Sequence, residues 1–442
     1  MDKVMDKLDK VLFKNILVFF SDLSSKRISF YIDQSGTVNY IDSYDESDYV
    51  EVVEGEEFVV MPLLTDVHTH MRVPGQEEKE DIVSGSKAAA RGGFGQIFTM
   101  PNTNPVVDNA YLVNYLVNNI SKNSLIKIYP VGAVSKSQLG EELSPLLEMK
   151  KEGAIAFSDD GKPITTKILR RALIYAKAFD GIIIDHPEDL VLSDNGIIHE
   201  GKISRAYGIA SIPYTSEEIS VARDIALARE TRSRLHLAHL STRYSLKYIE
   251  IAKEEGLNVS SEVTVNHLVF NCENIPIFDT RFKVKPPFRD VEDMERLFGA
   301  LKEGLIDMVC TDHAPHTLEE KELDYSQAPF GTPGLETAFA VLYTNFVMNN
   351  KCNLEDVIKW MVVNPSKIFS LPILELKDKS KANFFIFKKN KEFLVESKMF
   401  YSKCKLSPFL SKTLFGFPLA TFYNGKLVYK DKSFIKSIKC KF

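Results

Sequence analysis

The sequence predicts an α/β protein: a (β/α)8 TIM-type barrel with a small composite β domain built from both termini. Three observations carry this. Between residues 58 and 370, apolar runs of four to eight residues alternate with helical segments of 10–15 residues, eight times over. On either side of that interval the period is that of short strands separated by polar turns. All nine histidines fall between His68 and His316, which hints at one site in the middle of the chain. With 442 residues, 44% hydrophobic and 26% charged, the chain can bury a large barrel and an appended domain, and disorder, collagen and coiled coil are excluded.

In chain order, NILVFF, RISFYID, TVNYIDSY and YVEVVEG read as strands of the first part of the small domain, residues 1–57. Barrel strands are expected over 58–68, 95–100, 125–134, 154–158, 181–186, 234–240, 257–264 and 306–311. Helices are expected near 80–91, 109–121, 141–151, 165–178, 217–231, 242–255, 291–303 and 334–349, within a catalytic unit of residues 58–370. From residue 371 to 442 strands return: ANFFIFK, EFLVES, then TFY and KLVYK flanking Asn424-Gly425, a two-residue hairpin signal. A doubly wound sheet is the alternative architecture, but no G-x-G-x-x-G follows a strand and there is no P-loop, which excludes nucleotide binding by those routes.

Composition narrows the function classes. No run approaches 18 apolar residues, so no membrane span is expected. The opening MDKVMDKLDKVLFKN alternates acid and base and does not read as a signal peptide, so a cytoplasmic location is expected. Five scattered cysteines without C-x-x-C point to reduced thiols, not to a disulfide framework or zinc finger. Net charge is -5, yet from Lys377 onward there are 16 lysines, no arginine and four acids. That basic segment would suit nucleic acid. Its alternation of basic and aromatic residues fits lysines guarding strand edges better, so no nucleic-acid partner is expected.

In such a barrel the C-terminal strand ends build the active site. His68 and His70 end the first strand with a spacing that turns both imidazoles to one side. Asp159 and Asp160 end the fourth strand, His186 the fifth, His239 the sixth and Asp312 the eighth. Histidine and aspartate without thiolate suit zinc or a related divalent ion, and this set reads as a binuclear site. A bridging hydroxide would be nucleophilic near neutral pH, with Asp312 the best placed proton shuttle, which is equipment for hydrolysing or forming an amide. Arg72 offers a planar fork for a carboxylate, while Asn102 and His316 add donors on the same rim. Phe330-Gly331-Thr332-Pro333-Gly334 lets backbone approach a ligand. His236 has the opposite strand parity to His239 and is expected to face the helices; His199 is expected to be solvated and Cys310 to be a small core residue.

The segments HTHMRVPGQEEKEDIVSGSKAAARGGF, MPNTNPVVD, AFSDDG, HPEDLVL, HLST, KVKPPFRD, GLIDMVCTDHAPH, EEK and APFGTPGLET, in that order, resemble the dihydroorotases of the bacterial class I type, a branch of the amidohydrolase superfamily. The resemblance spans roughly residues 58–370. It implies reversible cyclisation of N-carbamoyl-L-aspartate to L-dihydroorotate and water in pyrimidine biosynthesis. It also implies two Zn2+ per subunit: one on His68, His70, Asp160 and Asp312, with Asp160 bridging to a second on His186 and His239. Asp312 would be the catalytic acid/base. His70, Arg72, Asn102, Lys285 and His316 would bind substrate, with Phe330 and Gly331 doing so through backbone. Expected partners are the small-molecule substrate, a second copy in a homodimer, and aspartate carbamoyltransferase. Many relatives bridge their metals with a carboxylated lysine on the fourth strand; here Ala154-Ile155-Ala156-Phe157 contains none, so the bridge falls to Asp160. Lys285 stands where the type usually has asparagine, Val265-Asn266 replaces Pro-His, and Asn383 replaces an aspartate. The alternatives are another cyclic-amide hydrolase, allantoinase- or hydantoinase-like, and an inactive homologue serving as a structural partner.

Overall fold

A computed structural model describes residues 11–49, 51–435 and 438–440; the acid–base alternation of residues 1–10 lies outside them. Eight strands form a barrel: Leu64–Asp66, Phe94–Thr99, Lys127–Pro130, Phe157–Ser158, Ile182–Asp185, Arg234–Leu237, Val259–Thr264 and Met308–Cys310. The first three pair in parallel, as do the last five, and parallel bridges Gly132–Phe157 and Thr69–His313 close the ring. Each strand is followed by a helix: Ile82–Arg91, Ala110–Asn123, Leu146–Lys151, Thr166–Lys177, Tyr214–Thr231, Leu246–Glu254, Val291–Glu303 and Ala338–Leu342. Three of these helices start at a capping side chain: Asp81, Asn109 and Asp290 each accept the main-chain N–H three residues on.

Strand alternation divides the core into two layers. Ile183, Leu235, Leu237, Val263 and Val309 pack outward on helix residues such as Leu169, Leu173 and Leu301. Ile184, Ala238, Met308 and Cys310 point inward with Val67 and Phe98. Phe369 plugs this interior, its ring edge-on to Phe98 at 4.9 Å. Arg234, at the start of the sixth strand, donates to the carbonyl of Ile368, so the plug closes the N-terminal end. The C-terminal end is left for the site.

Both chain ends contribute to one nine-stranded sheet, whose main path runs Lys426–Lys430, Pro418–Tyr423, Phe384–Lys388, Phe58–Met61, Val11–Phe19, Ser25–Ile32, Val38–Ile41. Its core is aromatic: Phe13 stacks on Phe30 at 4.6 Å and Phe384 on Phe422 at 4.7 Å. The hairpin at Asn424-Gly425 is present, with φ of 47° and 79° at the two residues, the left-handed pair that such a turn requires. No helix among the described residues is long and apolar enough to cross a membrane.

Two features differ from expectation. The strand expected over 58–68 is split: Phe58–Met61 joins the outer sheet, and the barrel begins at Leu64. Pro62, which has no N–H for a ladder, separates the two. Between the fifth strand and its helix lies an excursion with its own short parallel ladder, Ile198–His199 with Ser211–Ile212, around the helix Lys202–Tyr207.

Phe369→Ala would open the plugged end of the barrel and lower the unfolding free energy by about 3–5 kcal/mol. Urea denaturation reads this directly, and a loss well under 1 kcal/mol would show that the ring does not seal the interior.

Candidate metal centre

At the open end the strand-end side chains converge. One oxygen of Asp160 lies 3.2 Å from His68 Nε2, 3.5 Å from His239 Nε2 and 3.6 Å from His186 Nδ1. The other lies 3.4 Å from His70 Nε2. Asp312 Oδ1 stands 3.3 Å from His70 Nε2 and 3.8 Å from His68 Nε2. His186 Nδ1 and His239 Nε2 are 3.0 Å apart. All six residues expected as ligands are thus brought together.

These residues fit a divalent cation. Bonds of about 2.0–2.1 Å to a tetrahedral ion put neighbouring donor atoms about 3.3 Å apart, which is the spacing seen here. His68 Nε2 and Asp160 Oδ1 are fully buried without a hydrogen-bond partner among the described residues, a costly state that a cation would relieve. Two imidazole nitrogens 3.0 Å apart also need a proton or a cation between their lone pairs. Electrostatics point the same way. Burial opposes protonation of His68, yet Asp160 and Glu262 raise its pKa well above the usual value. Burial opposes ionisation of Asp160, yet His68, His186 and His239 hold its carboxyl well below the usual range. The cluster attracts positive charge.

Backbone geometry turns the side chains inward. Arg72, His239 and Asp312 have φ of 58°, 30° and 48°, a left-handed conformation that non-glycine residues rarely adopt. This corrects the reading of His236. Leu235 and Leu237 face the helices, while His236 and Ala238 face the barrel interior. The left-handed turn at His239 breaks the two-residue alternation, so counting back from it assigns His236 to the wrong side. His236 is fully buried, with Nδ1 2.8 Å from Ser260 Oγ and Nε2 3.2 Å from Glu262 Oε2. His199 is half-buried rather than solvated, its Nδ1 3.3 Å from Arg289 Nη1. Cys310 is a buried core residue.

Glu262 is the functional residue that the sequence did not single out. Its Oε1 lies 2.6 Å from His68 Nδ1, which places the imidazole proton there and bares Nε2 toward Asp160. The available signal was a lone carboxylate within the strand segment VSSEVT, where a solvated acid has no place. Asn102 does the same for His70, with Oδ1 2.9 Å from Nδ1. His186 Nε2 meets Glu188 at 3.3 Å, and Glu188 pairs with Lys285 Nζ at 2.9 Å. Lys285 therefore reaches the site's edge already engaged.

Beside the histidine–aspartate cluster lies a cationic wall. Arg72 is buried, with Nε donating to the Pro315 carbonyl at 3.1 Å and Nη2 3.2 Å from His316 Nε2. It makes no ion pair with a carboxylate among the described residues. His316 Nε2 is also 2.8 Å from the carbonyl of Phe330, and Gly331 follows with a φ of 128°. A Cβ at Gly331 would lie 2.6 Å from the Ala314 carbonyl oxygen, so only glycine fits.

A family model described as dihydro-orotase-like matches residues 58–245. The chain is 43% identical over 391 residues to a dihydroorotase of Caldicellulosiruptor saccharolyticus, covering 88% of this chain and 91% of that protein. It is 38% identical over 401 residues to a dihydroorotase of Bacillus subtilis, covering 90% and 94%. Among solved structures, the fold matches the L-hydantoinase (dihydropyrimidinase) of Arthrobacter aurescens with a TM-score of 0.82, 25% identity, and coverage of 95% and 96%. It matches the dihydropyrimidinase of Brevibacillus agri with a TM-score of 0.81, 22% identity, and coverage of 96% and 95%.

Glu262→Gln keeps the shape of the side chain but lets an amide face His68 Nδ1. Affinity for a divalent metal should fall about 10- to 100-fold, measured by chelator competition. Unchanged affinity would show that Glu262 does not set the His68 tautomer.

Proposed function

This chain belongs to the dihydroorotase family, and we propose that it catalyses the reversible cyclisation of N-carbamoyl-L-aspartate to L-dihydroorotate and water, as a step of pyrimidine biosynthesis. The observation that carries the reading is Arg72. A buried guanidinium without a carboxylate partner among the described residues, two residues from His70, is a ready-made receptor for a substrate carboxylate beside the cluster. The hydantoinase-like alternative shares the barrel, but identity to the solved hydantoinase-type structures is 19–25%, against 38–43% to the dihydroorotases. The fourth strand also carries no lysine, and it is Asp160, two residues past its end, that stands among the histidines.

In this reading His68, His70, Asp160 and Asp312 would hold one Zn2+, and His186 and His239, with Asp160, would hold a second. The bound ions would supply Lewis acidity and a water-derived nucleophile at neutral pH. Arg72, Asn102 and His316 hold the substrate carboxylate that does not react, and the backbone of Phe330 and Gly331 lines the ring. Lys285 lends its ammonium at the rim, shared with Glu188. Asp312 moves the proton. Burial works against its ionisation, yet His70, His68 and His239 together keep its carboxyl below the usual range. Its side chain is 16% exposed against 5% for Asp160, so it is the cluster carboxylate open to a ligand. During cyclisation the carbamoyl nitrogen forms a C–N bond to the carbon of the reacting carboxylate and one C–O bond of that carboxylate breaks. Asp312 takes the proton of the attacking nitrogen and returns it to the departing oxygen, a second proton from solvent completes the water, and hydrolysis runs the same transfers in reverse. Family likeness also supports a homodimer in the cytoplasm and association with aspartate carbamoyltransferase.

The direct test is turnover of carbamoyl-aspartate beside hydantoin and allantoin. Activity on the first alone is expected; preference for either of the others would overturn the assignment. Asp312→Ala should cut kcat at least about 10²- to 10⁴-fold. Arg72→Lys should raise KM about tenfold with kcat little changed, because lysine cannot offer the bidentate fork.

A further inference from the structure

Two lysines lie deep in the protein without a counter-ion. Lys283 and Lys321 are each 2% exposed, and neither forms an ion pair among the described residues. Burying an ammonium in this way is unfavourable unless its donors are satisfied. Here they are satisfied by main-chain carbonyls of one loop. Lys283 Nζ donates to Tyr325 O at 2.6 Å, Ser326 O at 3.3 Å and Ala328 O at 2.6 Å. Lys321 Nζ donates to Pro329 O at 3.0 Å and Gly331 O at 2.8 Å. The Phe330 carbonyl between them meets His316. Six carbonyls of one seven-residue stretch therefore turn toward three side chains.

The two lysines reach the loop from different segments. Lys283 lies in the extended KVKPP run, where its own carbonyl accepts from Gly331 N at 2.9 Å. Lys321 ends the helix Leu318–Lys321, just after His316, and its carbonyl accepts from Thr280 Oγ1 at 2.5 Å. The Lys283 ammonium also faces the rings of Phe330 and Tyr325, at 4.9 and 5.3 Å. The loop has no helix or strand ladder to satisfy its carbonyls. Two point charges with several donors each do this at once, and an apolar side chain would leave five carbonyls without their donors.

We propose that Lys283 and Lys321 are positioning residues, an ammonium clamp that holds the 325–331 loop so that Phe330 and Gly331 are kept in place beside His316 at the substrate. This rests on the dihydroorotase reading for the identity of the substrate, but not for the clamp itself.

Lys283→Met and Lys321→Met keep length and remove the charge. In metal-loaded protein, each should raise KM for carbamoyl-aspartate about tenfold or more, with kcat within about threefold and metal content unchanged. Hydrogen exchange should quicken at the amides of residues 325–331. Ethylammonium added to Lys321→Ala should recover part of the lost KM, which a purely space-filling role would not allow; this variant also serves if the methionine forms fail to fold. Unchanged KM and exchange in the folded variants would overturn the clamp. Wild-type protein that binds metal but leaves carbamoyl-aspartate untouched would overturn the functional reading, and the exchange measurement would still judge the clamp.

Discussion

Asp160 buries its carboxylate among four imidazoles that arrive from three different strand ends. A charge in that position is tolerable only if positive charge is shared around it, because the side chain is almost wholly removed from water. The surrounding structure answers to this demand. His68 and His70 each have the far nitrogen tied, by Glu262 and Asn102, so the near nitrogens face the carboxylate. The left-handed backbone at His239 and Asp312 aims side chains inward that a regular strand would turn elsewhere. Such strain persists only where the surroundings over-determine it.

The barrel makes this possible by separating stability from chemistry. Its N-terminal end is sealed by Phe369, and the apolar interior supports the polar cluster above it. The C-terminal part of the chain also reaches back toward the site. Ser402 Oγ donates to Glu80 at 2.5 Å, and Glu80 meets His313 Nε2 at 3.3 Å within the loop that carries His316. The Tyr401 amide donates to buried Glu336 at 2.7 Å. The segment around Tyr401 and Ser402 is thus tied to the loops that carry Glu80, His313 and Glu336.

Much of this was legible in the sequence, for identifiable reasons. Eight β/α units announce themselves because each strand is a short apolar run and each helix has its own period. The convergence of His68, His70, Asp160, His186, His239 and Asp312 was legible because strand ends in such a barrel meet at one point. Where backbone departs from regularity, the reading failed. His236 was assigned to the wrong face because the turn at His239 has no local signature beyond the residue itself. The strand at 58–68 hid a change of sheet at Pro62. Glu262, Lys283 and Lys321 escaped notice because their work depends on partners 194, 42 and 10 residues away. No window along the chain contains both halves of those contacts.

Asp160 is placed to serve both halves of the cluster. Equilibrium dialysis of wild-type protein and Asp160→Asn against zinc tests it. Wild-type protein should take up two ions per chain, and the variant should lose tight binding of both together, since each depends on the same side chain. A variant that still held one ion with wild-type affinity would show that the two halves do not share Asp160.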